Sequence, residues 1–172
     1  MMYVKSFKRY IKESLMGEES DGEVLQFQLR DFNSKKKNLK SLVLGNIDSD
    51  KDISKNYQDI VGENPFLSSY GNMLKLEVTI KRKEIQLEKY AEELRSLQND
   101  MSLLSNLSDD GDRDAQQSNI ESQIKDKNNN VEEEQNSIKE LQEKVRLMGE
   151  GLKEFIKEKT NELKDIQKNV IV

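Results

Sequence analysis

The chain has 172 residues, 34% of them hydrophobic and 35% charged, with one proline and a formal net charge of -5 at pH 7. That balance excludes a thick globular core and suits helices that each bury one narrow stripe. The acidic excess argues against non-specific nucleic-acid binding, which needs a clustered basic surface. Cysteine and histidine are both absent, which excludes disulfides, the usual zinc sites and Ser-His or Cys-His nucleophile systems.

In chain order, residues 2 to 16 place Val4, Phe7, Ile11 and Leu15 on one helical face, with Lys5, Lys8, Arg9 and Lys12 mostly off it and Gly17 as a stop. The pattern predicts a short basic amphipathic helix over residues 1–17. A helix this short is marginal alone and needs a surface. Its apolar face therefore docks on the rest of the protein or anchors the chain to another protein, and Val4, Phe7, Ile11 and Leu15 are the candidate partner-binding residues. The face is narrow and lacks tryptophan, so a membrane surface is the poorer match. Lysines stand where a signal peptide would have its apolar core, and no run approaches the roughly 20 apolar residues of a membrane span.

Residues 18–63 read as a linker and a small mixed segment. Glu18 to Glu23 is acidic with one glycine. From Val24 to Leu44 two periods compete. Leu25, Phe27 and Leu29 alternate with polar residues as in a half-buried strand, while Leu25, Leu29, Phe32, Leu39 and Val43 fit a helical stripe. The preferred reading is a short strand or extended piece, a break or cap at Asn33-Ser34, and a short helix ended by Gly45-Asn46. A further short helix is expected around Ile53 to Val61, stopped by Gly62.

Asn64 followed by Pro65 is the clearest helix start in the chain: an N-cap side chain, then a residue whose missing N–H has no partner to lose at the first position. The helix is expected to run to about Ser105, on the order of 60 Å, with Gly71 weakening its first turns by about 1 kcal/mol. Along it Met73, Leu76, Ile80, Leu87, Tyr90, Leu94, Leu97, Met101 and Leu104 recur at alternating steps of three and four, with Lys83 the one polar member. That is a coiled-coil seam, and it demands a partner helix.

Turn formers and dense negative charge over 106–115 predict a hairpin tip. A second helix is expected from about Gln116 to about Asn169, its seam Ile120, Ile124, Val131, Ile138, Leu141, Val145, Met148 and Leu152 interrupted by Lys127 and Glu134. After Leu152 the stripe moves to Ile156, Leu163, Ile166 and Val170. The successive steps of four from Met148 to Ile156 form a stutter, and Gly149 and Gly151 flank it, so a bend or a change of partner is expected there. Folded about Asp110-Gly111, the two seams set Met101 against Ile120, Leu97 against Ile124, Tyr90 against Val131, Ile80 against Leu141, Leu76 against Val145 and Met73 against Met148, and a register displaced by one heptad with a longer loop also satisfies the spacing. Lys83, Lys127 and Glu134 then face Ile138, Leu94 and Leu87, their stems reaching toward water. The second helix overhangs the first after Leu152, to pack on the Val24 to Val61 region, on the N-terminal helix or on another subunit. Leu74, Val78, Ile85, Leu103 and Leu147 lie off the main seam and favour a third helix or oligomerisation.

Asp110, Asp112 and Asp114 with Glu121 copy the carboxylate spacing of an EF-hand loop, but Ala115 stands where that loop needs glycine. The competing reading is a solvated acidic turn, and no metal ligand is assigned. Asp48, Asp50 and Asp52 lack both the glycine and the final glutamate. No arrangement of Ser, Lys and Tyr forms a dyad or a phosphate-binding loop. The residues therefore predict no catalytic residue, no cofactor and no small-molecule substrate.

Ser6-Phe-Lys-Arg-Tyr-Ile-Lys-Glu-Ser14 resembles the Phe-Lys-x-Phe/Tyr-Ile/Leu-x-Glu openings of structural and prohead proteins of T-even-like tailed phages. The resemblance covers under a tenth of the chain and implies a virion or prohead setting, with processing after Ile11-Lys12-Glu13. High lysine and asparagine agree with an AT-rich bacterial or viral genome.

The combined expectation is a mainly α protein: a long antiparallel coiled-coil hairpin over 64–172, with a short N-terminal amphipathic helix and a small irregular or α+β segment. It would be a non-enzymatic structural or assembly protein, cytoplasmic or virion-associated and not secreted by a signal peptide. Its partners would be other structural proteins in a homo- or hetero-oligomer, with no nucleic acid and no membrane. The alternative is an intracellular coiled-coil adaptor or chaperone-like binding protein.

Overall fold

A computed structural model of the chain describes residues 21–47, 52–105 and 111–170. All regular structure among them is helical: α1 Asp21–Leu44, α2 Ser54–Val61, α3 Pro65–Ser105 and α4 Gly111–Val170. The protein is therefore mainly α.

The strand expected at the start of 24–44 does not form, and α1 is one helix throughout. Burial decides between the two periods. Leu25, Leu29, Phe32, Leu39 and Val43 are all buried, whereas Phe27, the residue that only the strand pattern needed inside, is 68% exposed. Asn33 and Ser34 do not break the helix, because their side chains find partners on its surface: Ser34 Oγ donates to the Asp31 carbonyl at 2.9 Å, and Asn33 Oδ1 accepts from Lys36 Nζ at 3.2 Å.

Each later start and stop has a local cause. At α2, Asp52 Oδ1 accepts from the Ser54 amide at 2.9 Å, and hydrogen bonds from the Ser54 hydroxyl first and its amide second hold the Asp52 carboxyl below its ordinary range. Gly62, at φ 51°, turns the chain out of α2 and donates its N–H to the Gln58 carbonyl at 2.8 Å. At α3, Asn64 Oδ1 accepts from the amides of Phe66 at 3.0 Å and Leu67 at 3.3 Å, as its position before Pro65 predicts. The start of α4 differs from expectation. Residues 111–115, read as loop, are already helical, with Asp112 and Asp114 in the first turn where the helix dipole favours them; residues 106–110 lie outside the described residues. No interruption occurs at Gly149 and Gly151.

The chain forms two compact units, Met1–Thr79 with Leu141–Val172, and Ile80–Glu140. In the first, Leu25, Leu29, Phe32, Leu39 and Val43 of α1 share one core with Val61 of α2, Phe66, Leu67 and Leu74 of α3, and Leu152 and Phe155 of α4. Phe32 meets Phe66 at 6.1 Å and Tyr70 edge-on at 5.9 Å, and Phe66 meets Phe155 at 5.3 Å between ring centroids. Burial of Phe66, Leu39, Leu67 and Leu74 is essentially complete, worth roughly 1.5–3 kcal/mol per side chain. Of the alternatives for the end of the second helix, packing on the 24–61 region is the one observed, and Leu74 and Val78 leave the main seam because they face this core.

Gly71 is buried in α3 for a reason invisible in the helix pattern. A Cβ there would lie 2.9 Å from Cε2 and Cζ of Tyr57, so the absent side chain is what lets α2 lie against α3. Lys75 Nζ sits 3.9 Å above the same ring, and burial pushes the Tyr57 phenol above its ordinary range.

In the second unit only two helical stretches, 80–105 and 111–140, are described. Ile80 and Ile138 are buried there, and the remaining seam residues are half-buried.

Candidate functional site

With no reaction centre predicted, the surfaces that matter are the helix faces and what each one touches. On α3, Met73, Leu76, Leu87, Tyr90, Leu94, Leu97 and Met101 are half-buried and Ile80 is buried. On α4, Ile120, Ile124, Val131, Leu141, Val145 and Met148 are half-buried and Ile138 is buried. Among residues 86–104 and 112–136 every position that is not exposed falls on these stripes, on their polar members, or on Gln86, Arg113 and Gln117.

The polar seam members find one another. Lys83 Nζ lies 2.6 Å from Glu134 Oε2, both side chains about three-quarters shielded from solvent. Lys127 pairs with Glu93 and also stands 4.9 Å above the Tyr90 ring. The expected neighbours of these residues were Ile138, Leu94 and Leu87. Their charged ends each reach an opposite charge or a ring face. As the partners ascend α4 from Lys127 to Glu134, they descend α3 from Glu93 to Lys83, so the two stretches run in opposite directions.

In the first unit one residue joins two helices. Asn64, which caps α3 through Oδ1, donates from Nδ2 to the Gln28 carbonyl at 2.9 Å and to Asp31 Oδ2 at 3.1 Å on α1. Asp31 in turn pairs with Lys35 at 2.9 Å. The cap was legible in the sequence; the link to α1 was not, because nothing local relates Asn64 to residues some 36 positions earlier.

The four predicted partner-binding residues, Val4, Phe7, Ile11 and Leu15, lie outside the described residues. Exposed large apolar side chains that the partner reading did not include are Val24 and Phe27 on α1 and Ile85 and Leu103 on α3; Val24 is 42% and Phe27 68% exposed. Ile85 and Leu103 were already legible as apolar residues off the main seam, while at Phe27 the signal was the strand-helix ambiguity.

The EF-hand spacing loses its geometric basis. Residues 112–121 are helical, which separates Asp112 from Glu121 by roughly 13 Å along the axis, whereas a calcium loop curls its ligands round one ion. No group of three or more acidic side chains able to hold a metal ion occurs among the described residues. Arg146 is bracketed on the surface of α4 by Glu143 at 2.6 Å and Glu150 at 2.7 Å. These bonds raise the guanidinium pKa and lower that of Glu143, and they brace the helix rather than form a site. No helix among the described residues is long and apolar enough to cross a membrane.

Fold and faces together define a mainly helical protein whose described surfaces offer apolar contact and ion pairing. No protein-family model, curated protein or solved structure matches the chain.

Proposed function

We propose that the protein is a non-enzymatic structural or assembly component in which α3 and α4 form an antiparallel coiled-coil hairpin, serving as a rigid spacer or oligomerisation element. The observation that carries this reading is the inter-helix ladder of Lys83–Glu134 and Lys127–Glu93, set in half-buried stripes at steps of three and four. Such stripes hold two helices in one register. They contribute no reactive group, so the work left to the hairpin is reach and stiffness.

Contacts to other structural proteins fall to the ends, with Val4, Phe7, Ile11 and Leu15 as anchor residues, and the phage particle is the setting implied by the resemblance of Ser6 to Ser14. The native mass of the assembly tests the reading. A fixed copy number within a particle or a defined oligomer is expected; a monomer that exchanges among clients at variable stoichiometry would point to the adaptor alternative instead.

A further inference from the structure

α1 carries a face that the core leaves unused. Phe27, Arg30, Ser34, Lys37 and Ser41 recur at alternating steps of three and four and are all exposed, on the side of α1 away from its buried stripe. Lys40 lies beside Lys37 and is exposed as well. The stretch 30–40 holds five cations against the single acid Asp31, a net +4 in a chain whose total is -5. Two of those cations are already engaged, Lys35 with Asp31 and Lys36 with Asn33 and the Phe32 ring. Arg30, Lys37 and Lys40 have no ion-pair partner among the described residues.

The complementary charge is on the second unit. Ile80–Glu140 holds nine cations and fifteen acids, a net -6. On α4, Asp126, Glu133 and Glu140 stand at heptad spacing, which keeps them on one side of the helix. All three are exposed, and none has an ion-pair partner among the described residues. This acidic stripe spans fourteen residue steps, as does the stripe from Phe27 to Ser41, about 21 Å of helix in each case.

We propose that the outward face of α1 docks a second copy of this chain, with Arg30, Lys37 and Lys40 set against Asp126, Glu133 and Glu140 of that copy. The two sets are opposite in sign, similar in length and unpaired within one chain, so each copy brings the charge that the other lacks. Exposed ion pairs alone hold little. Phe27, 68% exposed and one turn from Arg30, adds an apolar contact at the end of the basic stripe. The inference rests on the oligomerisation reading and deepens it: the copies meet through charge on outward faces rather than through the seam of α3 and α4, and that charge pattern selects the partner.

Sedimentation velocity of the full chain tests it. The chain is expected to associate at low salt, and to do so about tenfold more weakly at about 1 M salt, where exposed charges are screened. Arg30→Glu with Lys37→Glu, and separately Glu133→Lys with Glu140→Lys, are each expected to weaken self-association about tenfold or more, with helicity by circular dichroism unchanged. An equimolar mixture of the two variants is expected to associate again, because the reversed charges of one complement those of the other. The milder Arg30→Gln with Lys37→Gln should weaken association in the same direction. Association that survives both charge reversals, or a mixture that stays apart, overturns the proposal and leaves the oligomerisation reading standing. A monomer at every concentration and salt overturns both. Capture of a monomeric chain by phosphatidylserine vesicles, lost in Arg30→Glu with Lys37→Glu, also overturns the proposal, by assigning the face to phosphate.

Discussion

Lys83 of α3 and Glu134 of α4 close an ion pair at 2.6 Å on a mostly apolar seam, each side chain retaining only about a quarter of its exposure. Partly buried pairs of this kind recover little more than their desolvation, yet breaking one strands a charge. The pair therefore acts mainly on register, since sliding either helix by a turn would separate the charges.

Replacing both partners, Lys83→Leu with Glu134→Leu, is expected to raise stability by about 1 kcal/mol. The single change Lys83→Glu, which sets two carboxylates together, should lower it by about 1–2 kcal/mol. Urea unfolding of the two variants checks both signs. Equal destabilisation by the single and double changes would show that the pair contributes through packing alone.

Gly71→Ala tests the approach of Tyr57. On an open helix surface the change would stabilise by about 1 kcal/mol. Here the new methyl meets the Tyr57 ring, 2.9 Å from two of its carbons, so a loss of about 1–3 kcal/mol is expected. Thermal unfolding of Gly71→Ala with and without Tyr57→Ala should show strong coupling between the sites.

Asn64→Asp separates the two duties of Asn64. The carboxylate keeps an acceptor for the amides of Phe66 and Leu67 but loses the Nδ2 donor and faces the Asp31 carboxylate. Asn64→Ala should cost about 1–2 kcal/mol from the cap plus the lost bonds to α1. Asn64→Asp should be destabilised at neutral pH and recover in acid. The sign follows from the like-charge contact, which raises the carboxyl pKa in the folded chain; the folded state is favoured below the unfolded value, and that advantage is lost as pH rises through the folded value. A pH series of urea midpoints reads this directly.

At the alkaline end, burial raises the Tyr57 phenol, and burial followed by the Glu77 charge raises Tyr70. Both raised values mean that the neutral phenols support folding below about pH 10 and that this support declines as pH rises through their folded values. The expected result is a loss of stability above about pH 10 that is smaller in Tyr57→Phe. Absorbance titration near the phenolate band should show ionisation above about pH 10 that Tyr57→Phe and Tyr70→Phe each reduce.

The residue order by itself determined the helical class, the Asn64–Pro65 start, the stop at Gly62 and the stripes from Met73 to Met101 and Ile120 to Met148. These rest on capping chemistry and the period of 3.6 residues, which are local properties. Only the tertiary structure decided that α1 is helical through Asn33-Ser34, because an α1 stripe and a strand pattern differ in whether Phe27 is inside, and that depends on where the core lies. It likewise decided why Gly71 is tolerated, what Asn64 reaches on α1, and that Lys83 meets Glu134. Each of these is a contact between residues far apart in the chain, where no periodicity relates one partner to the other.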